Sequence, residues 1–89
     1  MQEVIVERYD RERAEQKGIF EWPIWARKVS RFPWTYDSDE ECWIIEGTVE
    51  IETSNEKYLI QAGDFVTFKN GLSCTWNILA DIRKHYNFP

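Results

Sequence analysis

The chain has 89 residues, with 11 Lys and Arg against 16 Asp and Glu, and a formal net charge of −5. That length holds one domain around one core. The acidic balance argues against nucleic acid and anionic membranes, which need clustered Lys and Arg. No apolar run approaches the roughly 20 residues of a membrane span. The charged start, MQEVIVERYDRER, lacks the apolar centre of a signal peptide, so a cytoplasmic location is expected. Two cysteines are too few for a disulfide framework and are read as thiols.

Taken in order, Glu3 to Tyr9 reads as a strand, with Val4 and Val6 on one face. The polar segment from Asp10 to Gly18 suits a short helical turn, Asp10 as N-cap and Gly18 beyond its end, and is read as a connector. Trp22 and Trp25 flank Pro23 and are expected as lids over one end of the core. Phe32, Trp34 and Tyr36 alternate, so one strand shows all three to the same side. Glu40 to Ile45 is the most apolar strand, and Gly47 is expected to turn the chain. Val49, Ile51 and Thr53 alternate with polar residues, and a hairpin loop over 54–57 returns as Tyr58 to Gln61. Phe65 to Phe68 follows, then a tight turn at Lys69-Asn70-Gly71 in which glycine supplies a positive φ. Leu72, Cys74, Trp76 and Ile78 alternate on one strand, and Ile82 to Phe88 forms the last, after a break at Ala80-Asp81. Eight or nine short strands with frequent turns and no long amphipathic helix predict an all-β antiparallel barrel or sandwich.

Two glycine-anchored runs sharpen this. Glu40 and Gly47 are separated by six residues, with WIIEG at the end of the run. Gly63, five residues, Lys69-Asn70-Gly71, two residues and Cys74 make the second. The chain thereby resembles a small single-domain cupin over roughly residues 24–88, preceded by an N-terminal strand and connector over 1–23. The segments WPIW, CWIIEG, GDFVTF and RKHYN make it similar to cupin domains of the (S)-ureidoglycine aminohydrolase type. The resemblance implies a double-stranded jelly-roll barrel. It also implies a metal held by His, His, Glu and His, but those positions fall on Trp34, Tyr36, Glu40 and Cys74. An indole nitrogen only donates, and one carboxylate with one thiol is a poor ligand set. No metal site and no cofactor are therefore expected.

The site residues follow from the same register. Trp34, Tyr36, Glu40, Cys74 and Trp76 are expected to converge on one cavity inside the barrel. Cys42 shares a face with Glu40 by parity, and its strand is expected beside that of Cys74. Glu40 is a candidate acid or base in an aromatic pocket; otherwise it belongs to an acidic loop with Asp37, Asp39 and Glu41. Cys74 is either a reactive thiol or a small buried apolar group. His85, the only histidine, is a candidate catalytic partner or a hydrogen-bonded core residue. Arg83 and Lys84 form a basic pair that attracts an anion or is simply solvated. Replacing Glu40 by Gln is expected to leave the fold intact or slightly more stable. Two functions fit: binding of a small molecule without a catalytic metal, or an enzyme acting on a small polar metabolite through Glu40. A small-molecule ligand and a homodimer are the expected partners.

Overall fold

The structure is a computed structural model that describes residues 3–89. Among the described residues, seven strands run β1 Val4–Arg8, β2 Ile24–Arg27, β3 Ser30–Thr35, β4 Glu40–Glu52, β5 Lys57–Gln61, β6 Asp64–Phe68 and β7 Ser73–Asn87. Helix α1, Arg11–Gln16, and a 3₁₀ turn, Ile19–Glu21, lie between β1 and β2. Every pairing is antiparallel. The architecture is the all-β antiparallel barrel that the turn spacing predicts, with the jelly-roll form that the resemblance implies. Neither helix among the described residues is long and apolar enough to cross a membrane.

Two strands are much longer than the sequence reading expects. β4 runs straight through Gly47, and β7 runs through Ala80-Asp81. Gly47 does not turn the chain but bends a continuous strand. Its φ is 97°, and a side chain there would meet the Asp81 carbonyl oxygen and come within 2.7 Å of Ile82 Cα. The register between β4 and β7 slips around this point, between Ile44 and Val49. Such irregularities bend a strand without ending it. At the same level, between β2 and β3, Val29 N donates to Asp81 Oδ1 at 2.9 Å.

The bend folds the one seven-stranded sheet over into the two facing sheets of the barrel. The first half of β4 and the last half of β7 lie in one sheet, in the order β1-β6-β4-β7-β2. Their other halves lie in the second sheet with β5 and β3 at its edges. Inside, Cys42, Ile44, Val49 and Ile51 from β4 pack against Val66 and Phe68 from β6. They also meet Cys74, Trp76, Ile78 and Ile82 from β7. All these β7 residues are even-numbered, as period-2 alternation demands.

The N-terminal segment is more than a connector. Asp10 caps α1 by accepting from Arg13 N at 2.8 Å, as the sequence predicts. The helix and 3₁₀ turn then bring Ala14 and Ile19 over the outer face of the first sheet, where Tyr9, Trp43 and Phe65 complete a second apolar cluster. This is why Cys42, Trp43 and Ile44 are all buried in succession: one face looks into the barrel and the other is roofed. The two tryptophans flanking Pro23 part company. Trp22 joins the roofed cluster, whereas Trp25 packs on the barrel core.

Candidate functional site

One cavity of about 290 Å³ opens from the barrel between β2–β3 and the C-terminal half of β7. Alternation on β3 and its continuation puts Phe32, Trp34 and Tyr36 on one wall, with Trp25 from β2 beside them. Trp76, Lys84 and Tyr86 from β7 form the opposite wall, and Glu40, the first residue of β4, stands at the floor. Phe32 and Trp76 lie nearly parallel, with centroids 6.1 Å apart, and Trp25 meets Trp76 edge-on at 5.8 Å. Trp34 is half exposed and forms part of the rim with Phe88 and Arg27.

The floor is a buried ion pair. Lys84 Nζ donates to Glu40 Oε2 at 2.8 Å, and both residues are only about one-twentieth exposed. Cys42 Sγ donates to the same oxygen at 2.8 Å and lies 3.2 Å from the ammonium. The ammonium also sits over the rings of Trp76 and Trp25, 4.6 and 5.0 Å from their centroids. Burial works to strip the Lys84 proton, but attraction to Cys42 and Glu40 overrides it and holds the amine above the ordinary lysine range. Burial, first, pushes the Cys42 thiol up to about 12, so beside this ammonium it remains a thiol at neutral pH. Burial also lifts the Tyr36 phenol far above its usual range, aided by the negative charges that Cys42, Glu40 and Cys74 can carry. Its hydroxyl oxygen accepts from Trp76 Nε1 at 3.1 Å.

Of the residues expected to converge, Trp34, Tyr36, Glu40 and Trp76 line the cavity. Cys74 does not; it is buried in the core, and burial lifts its thiol to about 11. Cys42 lies just behind the floor. The two thiols are not opposite each other: β7 sets Tyr86 opposite Cys42, and β3 sets Trp34 opposite Cys74. Glu40 does not belong to a solvated acidic loop, although Asp39 does, accepting from Asn70 N at 2.8 Å. His85 points the other way. It stacks on Trp43 with centroids 6.3 Å apart, and its Nδ1 is 2.9 Å from the Trp22 carbonyl, which can only accept, so that nitrogen carries the proton. Its placement under the N-terminal roof removes the geometric basis for a catalytic partnership with Glu40.

The sequence reading set Lys84 in a basic pair with Arg83 and missed its place at the cavity floor beside Glu40. The signal was parity: Ile82, Lys84 and Tyr86 share a face, so pairing Lys84 with Arg83 joined residues that a strand points apart. Arg83 is exposed and reaches Glu46 at 3.6 Å, on the outside.

The chain matches the EutQ-like cupin domain over residues 14–86. It belongs to the EutQ-like cupin family. Among solved structures, the cupin is 45% identical to a DUF861 family protein from Thermotoga maritima. That likeness has a TM-score of 0.93 and covers 98% of this chain and 100% of that one. It is 20% identical to the Clostridium difficile EutQ protein, with a TM-score of 0.68, over 97% of this chain and 68% of that one. A putative ethanolamine utilization protein Q from Salmonella typhimurium is 24% identical, with a TM-score of 0.62, over 93% of this chain and 66% of that one. At these last two identities the likeness is one of fold. No curated protein matches the chain.

The metal that the cupin fold implies can be tested against this cupin's donors. At the four positions stand a rim indole, a neutral phenol, a carboxylate already paired with an ammonium, and a buried thiol. Among the described residues, no three His, Cys, Asp or Glu side chains stand together as a metal set. The residues do not fit a metal. The positive charge that Glu40 faces comes instead from Lys84, a covalent part of the chain.

Proposed function

We propose that this cupin binds a small, flat or ring-shaped metabolite in the barrel cavity without a catalytic metal. The observation that carries this reading is the aromatic-walled cavity floored by the Glu40–Lys84 pair. Apolar and aromatic walls supply affinity, and a few fixed polar groups supply orientation. The volume lies at the lower edge of the range for small-molecule sites, roughly 300–1,000 Å³. The test is tryptophan fluorescence during titration with a panel of ring-containing metabolites. Saturable quenching that Trp76→Leu abolishes supports the reading. A panel that leaves the emission unchanged counts against it.

A second reading is an enzyme acting on a small polar metabolite, with Glu40 as acid or base. The resemblance to ureidoglycine aminohydrolase-type domains favours it, as does the placement of a carboxylate and an ammonium 2.8 Å apart at the cavity floor. In that reaction Glu40 would move the proton and Lys84 would hold it oriented. Product formation from the bound metabolite that Lys84→Arg slows and Glu40→Gln removes would establish it. Turnover unchanged by both substitutions would dismiss it.

A further inference from the structure

The polar valences left open on the cavity wall say more about the ligand, given that the cavity is a binding site as proposed above. Glu40 Oε2 receives both Cys42 and Lys84, while Oε1 has no donor among the described residues. The Tyr36 hydroxyl accepts from Trp76, which leaves its own proton without an acceptor among the described residues. Both residues are more than nine-tenths buried, and both line the cavity. The wall therefore presents one unused acceptor and one unused donor in an aromatic slot. A ligand that pairs such groups inside an aromatic-walled cavity gains orientation and specificity.

We propose that the cavity selects the N–H and C=O edge of a small planar amide or lactam ring, Glu40 Oε1 accepting the N–H and the Tyr36 hydroxyl donating to the carbonyl. The charges lining the slot favour a neutral group. A cationic ligand at Glu40 lies against the Lys84 ammonium that already occupies it, and an anionic ligand lies against the Glu40 carboxylate. Arg27, exposed at the mouth, is the remaining charged group of the lining. An amide edge satisfies both valences without adding charge. Because a site built to hydrogen-bond a group rejects analogues that leave its buried valences unpaired, discrimination between isosteres is the property to measure.

Four probes share one ring: benzamide, methyl benzoate, benzoate and benzylammonium. Calorimetric titration of the full chain with each reads the preference. The expected result is that benzamide binds about tenfold or more tightly than methyl benzoate, which keeps the carbonyl and loses the N–H. Benzoate and benzylammonium are expected to bind at least that much more weakly than benzamide. Tyr36→Phe is expected to weaken benzamide severalfold while leaving methyl benzoate weak, and the probe series on the unaltered protein stands even if that variant misfolds. Equal affinity for benzamide and methyl benzoate, or tighter binding of either charged probe, overturns the amide-edge proposal while keeping the cavity as a ligand site. Binding by none of the four overturns the amide-edge proposal. It leaves a ligand of other chemistry to the fluorescence panel, whose own silence is what would remove the cavity as a site.

Discussion

At the scale of single residues, Glu40 and Lys84 are interdependent. Removing one partner of a buried ion pair strands the other charge, which typically costs about 3–5 kcal/mol. Lys84→Met is therefore expected to lower the unfolding free energy by about 3 kcal/mol or more in urea. Glu40→Gln, which the sequence suggests to be harmless, is expected to be destabilising for the same reason, since it leaves an ammonium among aromatic rings. The double variant should recover much of the loss, because the pair's own net contribution is small once desolvation is counted. Losses that simply add would show that the two side chains do not depend on each other. The thiols make a second prediction. Cys42 and Cys74 hold their protons to about 12 and about 11 against an ordinary 9.0. Both shifts are upward, so the unfolded chain releases these protons first. Their contribution is fully present below about pH 9 and is lost as pH rises through the native values, by up to about 1.4 kcal/mol per pH unit for each thiol. Urea midpoints at about pH 8 and about pH 10 should differ, and Cys42→Ala should flatten the difference. An unchanged slope in that variant would assign the alkaline loss to other groups.

At the scale of elements, the bend of β4 and β7 decides whether a barrel forms. Gly47 and Gly71 both have positive φ, 97° and 91°. They differ in surroundings: a Cβ at Gly47 meets the β7 backbone, whereas at Gly71 nothing lies within 4 Å. Gly71→Ala should cost only left-handed backbone strain, about 1–2 kcal/mol. Gly47→Ala adds a clash with backbone that cannot swing aside, so about 3 kcal/mol or more is expected. Thermal melts of the two variants check the order, and a Gly47→Ala melt as mild as that of Gly71→Ala would mean that the two long strands can separate locally. The cap at Asp10 works on a smaller scale. Asp10→Ala should cost about 1 kcal/mol through the Arg13 amide it leaves unsatisfied, and it loosens the roof over Trp43 and His85 before it touches the cavity.

For the whole molecule, the question is what covers the remaining apolar surface. Val29, Leu59, Leu79 and Phe88 are each at least half exposed. β5 and β3 are edge strands of the second sheet, and free edges invite pairing. A homodimer is the expected state, two-fold dimers being the commonest oligomers. Sedimentation equilibrium should give twice the 10.7 kDa of the chain, and a mass that stays at one chain across a wide concentration range would reject it.

Period-2 alternation and turn chemistry made an antiparallel barrel legible from the sequence, and the two glycine-anchored runs added its resemblance to a cupin. Phe32, Trp34 and Tyr36 reach one wall because a strand leaves them no other choice. Asp10 and Gly71 behave as their side chains, or the lack of one, require. Glu40 was legible too, through its spacing to Gly47. What alternation cannot say is where a strand ends and what lies across the barrel. Gly47 looks the same in sequence whether it turns the chain or bends it, and the β7 backbone pressed against it made the choice. Lys84 and His85 are neighbours with opposite fates. Which one faces the cavity depends on the face of β7 that closes the barrel, and on the N-terminal roof that buries the other side. The meeting of Lys84 with Glu40, 44 positions apart in the chain, is a product of closure. No local pattern encodes it, because the energy of a buried charge depends on the partner that the fold brings to it.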